Sequence, residues 1–301
     1  MASPISLASR CVADAVNEIS TLLCEHPLHY GQGMQLPLDE AAYLVSFTVG
    51  LPPDFNVQND NFSLTPAHLA DLQTILQRRI YERMPLAYLL GKTWLSGQEF
   101  YVNEHVLIPR SPIAEMVRNR FAPWWHNDRE PARVLDLCAG SGCLGILAAK
   151  QFMQARVDLS DIDNQALQVA DKNIKLHCLQ DRVRVLQSDV YQQLPDCQYD
   201  IIIANPPYVP QSEQSELPSE FLHEPQHALF AGSDGLDIAK QILSGAAKFL
   251  ASDGVLVLEV GQSAFALQAH YEQFNFIWQE LEFGGEGICI LTYQDCLQFS
   301  D

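Results

Sequence analysis

The sequence predicts an α/β protein, with a parallel, doubly wound sheet preceded by a smaller helical domain. Three observations carry that expectation. From about Arg133 onward, short apolar runs alternate with helical patterns: "RVLDLC", "ARVDLSD", "RVRVLQSD", "YDIIIAN" and "GVLVLEV". A glycine-rich turn stands where the first of these runs passes into a helix, at Gly140, Gly142 and Gly145. Ahead of both, apolar residues recur three or four apart, the spacing of a helix face.

In chain order, "VADAVNEISTLL" and "LDEAAYLVSFTV" predict two helices between residues 10 and 50, separated by "HPLHYGQGMQLP" and closed by "GLPPDF". After the polar loop "NVQNDNFS", the segment "LTPAHLADLQTILQRRIYERM" predicts a third helix, with Thr65 as N-cap, Pro66 at the first helical position and an end near Pro85. Aromatic and β-branched residues around Ser96-Gly97 in "KTWLSGQEFYVNEHVLIPR" predict a short hairpin. The five strand-like runs follow, and "FIWQELEFGGEGICILTYQD" places Gly284-Gly285 between two further strand-like runs, a hairpin closing the sheet. The expected domains are a helical one over 1–92, a hairpin linker over 93–110 and an α/β domain over 111–301.

Composition narrows the class. A chain of 301 residues with 48% hydrophobic content can bury a core and fill two domains. No apolar run approaches the roughly 18 residues of a membrane span, and "MASPISLASRCVADAV" has no signal-peptide pattern. The expected setting is therefore the cytoplasm, without a membrane partner. Eight cysteines without a C-x-x-C pair read as reduced, mostly buried thiols, and no metal is expected. A net charge of −19, from 18 basic and 37 acidic side chains, repels phosphate backbones and argues against DNA as a partner. From Val185 to Ala239 there is no Lys or Arg, while Asp189, Asp196, Asp200, Glu213, Glu216, Glu220, Glu224, Asp234 and Asp237 all fall there. This acidic block reads either as a solvated face or as a docking surface for a basic partner.

"VLDLCAGSGCLGILAAK" sets its glycines in G-x-G-x-x-G spacing between a strand and a helix, where backbone amides approach a ligand and the helix start favours negative charge. Asp161 follows about 20 residues later at the end of the next strand, the position from which a carboxylate reaches a ribose hydroxyl. Together they point to a nucleoside-containing cofactor, and a dinucleotide would satisfy the same spacing. Two details resemble S-adenosylmethionine enzymes of this architecture more than dinucleotide enzymes: Asp136 lies within the strand four residues before Gly140, where the former carry an acid, and the glycine turn follows a long front domain, whereas many of the latter begin with it.

In "DIIIANPPYVP" the prolines fix their own φ and hold Asn205 extended at the end of a strand, on the sheet edge that carries the glycine turn. An Asn side-chain oxygen and the Pro206 carbonyl offer two acceptors, matched to the two donors of an NH₂ group. Tyr208 either stacks on a planar substrate or packs its ring and hydrogen-bonds its hydroxyl. An amide or aromatic NH₂ is a poor nucleophile, so accepting both hydrogens orients its nitrogen towards a methyl donor and stabilises the charge that grows there.

"DLCAGSG", "SDID", Ser188-Asp189 and "NPPY" at Asn205–Tyr208 resemble the amino-methyltransferases that use S-adenosylmethionine. The flanks "RMPLAYLLGKTWLSGQEFYVNEHVLIPRSP" and "HEPQHALFAGSDGL" resemble the protein-glutamine N-methyltransferases, and the match covers most of residues 80–293. One branch of that family methylates the Gly-Gly-Gln glutamine of peptide release factors, and the other a glutamine of large-subunit ribosomal protein L3. "IPRSPIAEMV" has Ser-Pro where the release-factor branch carries an acidic-Thr-Glu pattern, and "HYGQGMQLPLDEAAYLVSFTVGLP" resembles the ribosomal-protein branch.

The resemblance implies a Rossmann-like methyltransferase sheet and conversion of S-adenosyl-L-methionine to S-adenosyl-L-homocysteine. It implies that Asp136, Ala139, Gly140, Gly142, Asp161, Ser188, Asp189 and Asn205 serve the cofactor. Gly140 and Gly142 would line its methionine portion, Asp161 would hold its ribose, and Asp189 would lie near its adenine. Asn205, Pro206, Pro207 and Tyr208 would bind the substrate amide. Val190 stands where the release-factor branch can place an aromatic residue, so adenine stacking from that position is not expected. Arg110 and Glu115 would position the front domain, shape the cofactor pocket, or form an interdomain salt bridge. The acidic block would then steer a basic ribosomal protein. The rival readings are a DNA adenine methyltransferase, a dinucleotide-dependent oxidoreductase and a non-catalytic binding protein.

Overall fold

The computed structural model describes residues 5–52, 62–125 and 129–300. The chain divides into two compact units: Met1–Thr93 with Pro218–His223, and Trp94–Leu217 with Glu224–Asp301.

In the first unit, α1 (Val12–Cys24) buries Val12, Ala15, Val16, Ile19 and Leu23 along one face, the three-to-four spacing legible in the sequence. Helix α2 (Pro37–Val49) begins at a proline and stops at Gly50, whose left-handed φ of 73° ends the helix without a Cβ penalty. Thr65 caps α3 (Pro66–Tyr81): its hydroxyl accepts from the His68 N–H at 3.2 Å, and the His68 ring accepts from the Thr65 N–H at 3.3 Å. A short α4 (Leu86–Leu90) follows. The α3 stripe Leu72, Leu76 and Ile80 is buried, and so is Arg79, at 2% exposure.

Charge neutralisation makes that burial tolerable. The Arg79 guanidinium donates to Glu40 and, at 3.2 Å, to Glu220, while Arg83 pairs with Glu220 at 2.8 Å and the His29 N–H donates to it at 2.9 Å. Burial raises the Glu220 carboxyl, but the hydrogen bonds from Arg83, His29 and Arg79 outweigh it and hold the group below the usual carboxylate range. The chain thus leaves the α/β unit after Leu217, contributes the Glu220 segment here, and returns at Glu224.

The hairpin β1 (Lys92–Leu95) and β2 (Gln98–Tyr101) turns at Ser96 and Gly97, with φ of 49° and 72°, the positive pair that a two-residue turn between twisted strands demands. After α5 (Ile113–Arg118) come β3 (Arg133–Leu137), α6 (Cys143–Gln151), β4 (Arg156–Asp161), α7 (Asn164–Leu176), β5 (Val183–Gln187), β6 (Tyr199–Ala204), α8 (Asp237–Phe249), β7 (Leu250–Glu259), α9 (Ala264–His270), β8 (Ile288–Thr292) and α10 (Tyr293–Cys296). The strand order is β5-β4-β3-β6-β7-β8, with only β8 antiparallel.

Both faces of the sheet are covered, so its strands read as continuous apolar runs. Alternate residues Val134, Val157, Leu159, Ile201, Ile203 and Val257 join one core, and Leu135, Leu137, Ile202, Leu256 and Leu258 join the other with α8. The order reverses between β3 and β6, which opens a crevice at their carboxyl ends. In-register pairs Leu137–Ser160, Leu137–Ala204 and Asp161–Gln187 bring Cys138, Asp161, Ser188 and Asn205 to that edge.

Three expectations need revision. The closing hairpin is reduced: residues 276–283 form no strand, Trp278 makes a single bridge to Cys289, and β8 instead pairs along β7. The eight cysteines are free, but only Cys143, Cys289 and Cys296 are buried. The acidic block is not one solvated face: Glu220 and Glu224 are buried in ion pairs, and Asp200 accepts the Ala132 and Arg133 N–H groups at 2.7 and 3.0 Å. Residues 53–61, most of the expected polar loop, lie outside the described residues.

Candidate active site

A cavity of about 360 Å³ opens at the switch point. The expected residues Asp136, Ala139, Gly140, Asp161, Ser188, Asp189, Asn205 and Pro207 line it, as do Arg110 and Val190. Gly142, Pro206 and Tyr208 are not among its lining residues.

The glycine turn is held by two acids. Asp161 accepts from the Gly140 N–H at 2.8 Å and from the Asp163 N–H at 2.9 Å, and Asp136 accepts from the Gly145 N–H at 2.8 Å. Burial pushes the Asp136 carboxyl up to about 7, against the Gly145 hydrogen bond and with a further push from the charge of Asp161. Burial also raises Asp161, opposed by its two N–H donors. Each carboxylate oxygen of Asp161 keeps a further lone pair, so the group can still accept from a ligand hydroxyl.

The glycines divide the work. Gly140 has φ of 53° and, where a Cβ would stand, nothing within 4 Å, so the wall is open to a ligand. Gly142, with φ of 77°, is instead a packing residue: an added Cβ would lie 2.7 Å from Leu159 Cδ1. Asn173 on α7, fully buried, ties the turn to the hairpin; its amide donates to the Ser141 carbonyl at 2.9 Å and to that of Tyr101 at 3.0 Å.

Ser188 closes the next loop on itself, its hydroxyl donating to the Val190 carbonyl at 2.9 Å, and Asp189 accepts from the Gln192 amide at 2.7 Å. Val190 has φ of 48° and faces the cavity.

Strand β6 delivers Asn205 to this cavity, and among the described residues its side chain takes no hydrogen bond. The residues behind it are fixed. The Tyr208 hydroxyl donates to Glu259 at 3.3 Å, Ser263 Oγ donates to the Tyr208 carbonyl at 2.7 Å, and the Tyr208 ring packs where a Gly261 Cβ would come within 2.6 Å. Val209 bridges to Phe230, with its N–H donating to the Leu229 carbonyl at 2.8 Å. Of the two roles open to Tyr208, the structure displays ring packing with a bonded hydroxyl.

Sequence reasoning missed Glu259. It stands at the end of β7, 4% exposed, and accepts hydrogen bonds from Ser111 Oγ and Tyr208. Burial pushes its carboxyl up to about 7 despite those donors and the charge of Arg110. The only signal was a lone acid ending the apolar run "GVLVLEV". His227, Phe230 and Asp237 also line the cavity, from the "HEPQHALFAGSDGL" stretch and the start of α8.

Arg110 and Glu115 serve separate ends. Arg110 donates to both oxygens of buried Glu224 at 2.9 Å, within the α/β unit. Glu115 accepts the N–H groups of Glu282 and Phe283 at 2.9 and 3.1 Å.

The comparisons agree with this geometry. Residues 125–234 match the family model of the methyltransferase small domain. The ribosomal protein uL3 glutamine methyltransferase of Francisella tularensis subsp. tularensis is 40% identical over 274 residues, 91% of this chain and 87% of that protein. The enzyme of the same name from Bordetella pertussis is 40% identical over 262 residues, 87% of this chain and 88% of its own. The hMettl16 catalytic domain, solved with a MAT2A 3′UTR hairpin, shares the fold at a TM-score of 0.53 and 15% identity, over 83% of this chain and 92% of that one. With a switch-point cavity, an extended Asn-Pro-Pro-Tyr loop and 40% identity along nine-tenths of its length, the chain belongs to the ribosomal protein uL3 glutamine methyltransferase family.

Proposed function

We propose that the protein methylates the side-chain amide nitrogen of a glutamine in ribosomal protein uL3, with S-adenosyl-L-methionine as donor, in the cytoplasm. The observation that carries this reading is Asn205: an amide without a hydrogen-bond partner among the described residues, held at the end of β6 and lining the cavity that Asp161 and Gly140 also line.

The residues present fit the cofactor. The gap at Gly140 admits a ligand against the backbone, Asp161 keeps acceptors for ribose hydroxyls, and Asp189, which lines the same cavity, would serve the adenine side. When bound, the sulfonium supplies an electrophilic methyl group and departs as S-adenosyl-L-homocysteine. Asn205 Oδ1 and the Pro206 carbonyl accept the two amide hydrogens, which fixes the direction of the nitrogen lone pair and stabilises positive charge as it grows. The nitrogen then sheds one proton to solvent. No residue needs to act as a strong base, because positioning and electrostatics supply the acceleration.

The test is incubation with labelled S-adenosylmethionine and, separately, purified uL3 and a peptide release factor, followed by mass mapping. Label on a uL3 glutamine is expected, and label on the release factor alone would refute the substrate. Asn205→Ala should lose about a hundredfold or more in kcat, the scale of a removed transition-state hydrogen-bonding group, while still binding the cofactor. Full activity in that variant would refute the mechanism.

A further inference from the structure

A second groove, of about 600 Å³, starts at Gly261, whose backbone packs against the Tyr208 ring of the Asn-Pro-Pro-Tyr loop. We propose that it seats a basic, extended segment of the protein substrate next to the target glutamine. The inference rests on the glutamine-methyltransferase reading above and names the surface that selects the substrate.

Its position follows from the sheet and the reaction. Methyl transfer is an in-line displacement, so the accepting nitrogen must approach from the side opposite the departing sulfur. The cofactor cavity occupies the carboxyl ends of β3, β4 and β5. Next to β6 on the free side lies β7, and the groove starts where β7 ends, at Gly261, whose backbone backs the Tyr208 ring. Phe265, Trp278, Glu280, Leu281 and Glu286 form its walls.

The surface is built rather than incidental. Phe265 is 87% exposed and Phe283, on the adjoining rim, 70%, an unusual display of aromatic area for a solvated surface. The rim loop is fixed from below: Glu115 accepts the Glu282 and Phe283 N–H groups, the Arg118 guanidinium lies 5.0 Å from the Phe283 ring centroid, and Gly285 packs where a Cβ would come within 2.5 Å of Pro112 Cγ. The "SPIAEMVR" stretch thereby acquires a task, since Pro112, Glu115 and Arg118 hold this wall.

Charge selects the occupant. Glu280, Glu282 and Glu286 are exposed along the groove and its rim, and from Phe249 to Asp301 the sequence contains no Lys or Arg. Acidic walls around exposed rings suit a segment carrying Lys or Arg beside an apolar residue, with cation–π and charge attraction acting together.

The test compares Phe265→Ser and the pair Glu280→Lys with Glu286→Lys against the unaltered enzyme, using purified uL3. Both changes sit on exposed side chains, and cofactor affinity by calorimetry reports whether the fold is intact. Phe265→Ser should raise the KM for uL3 about tenfold, the scale of an interface anchor, with kcat at saturation retained. The charge reversals should raise KM and flatten its dependence on salt. Unchanged KM in both variants overturns the proposal, as does a loss of self-association in Phe265→Ser with KM unaltered, which would assign the groove to a second copy of the chain. Unaltered enzyme that methylates no protein while binding the cofactor would instead refute the function proposed above, and calorimetric titration of uL3 into the same variants then decides the groove by itself.

Discussion

Replacing Glu259 by glutamine should stabilise the protein above neutral pH and cost it about 1 kcal/mol below pH 5. The carboxyl is 4% exposed and is pushed from an ordinary 4.5 up to about 7. Its folded value therefore lies above its unfolded one, so the fold retains the proton longer than the unfolded chain does. Stability tied to this group is present at pH 4.5, is lost as pH rises towards 7, and stays lost above it. The interval corresponds to about 3 kcal/mol at 1.36 kcal/mol per pH unit. Glutamine cannot ionise, but Ser111 and Tyr208 donate to different carboxyl oxygens, so its single oxygen accepts from only one of them and its NH₂ faces the other hydroxyl, which offsets about 1 kcal/mol. The net gain at pH 8 is then about 2 kcal/mol. Urea unfolding of both proteins from pH 4.5 to 8 checks it. Asp136 is also raised to about 7, so part of the slope should survive in the variant. Parallel curves for the two proteins across that range would refute an ionisation held back by burial at this site.

Gly142→Ala places a Cβ 2.7 Å from Leu159 at a φ of 77°, and should cost about 2 kcal/mol or more in denaturant unfolding. Glu220→Ala strips one carboxylate from the buried Arg79 cluster and should cost about 3 kcal/mol. It should leave the salt dependence of methylation unaltered at temperatures where the variant is folded, whereas Glu213→Lys with Glu216→Lys should weaken that dependence if acidic steering operates. Asp161→Asn should lower cofactor affinity about tenfold by calorimetry, since a hydrogen bond to a charged acceptor becomes one to a neutral amide.

The parts of the site that were readable share a physical feature: local geometry demands particular residues. Glycine takes the left-handed turn at Gly140 and Gly142 at the least cost, and consecutive prolines fix the loop after Asn205 whatever surrounds them. The Thr65 cap and the Ser96-Gly97 turn were legible for the same reason. Side-chain destinations were not local. Glu220 and Glu224 stood in a run that read as one acidic face, and each is neutralised by an arginine more than a hundred residues earlier, Arg79 and Arg110. The "FIWQELEF" run has strand composition, yet β8 pairs along β7 and leaves that run only one bridge. The rest of it forms the rim that Glu115 holds.

The sequence by itself determined the doubly wound sheet, the glycine turn with its following acid, and the rigid Asn-Pro-Pro-Tyr end of β6. These are set by periods of two and 3.6 residues and by backbone restrictions that act within a few residues. Tertiary structure alone decided which charges are buried, that Glu259 lies behind Tyr208, and that a groove starts at Gly261, where β7 ends against the Tyr208 ring. Those outcomes depend on strand order and on which side chains the sheet brings together across long stretches of chain, and no spacing within a segment encodes them.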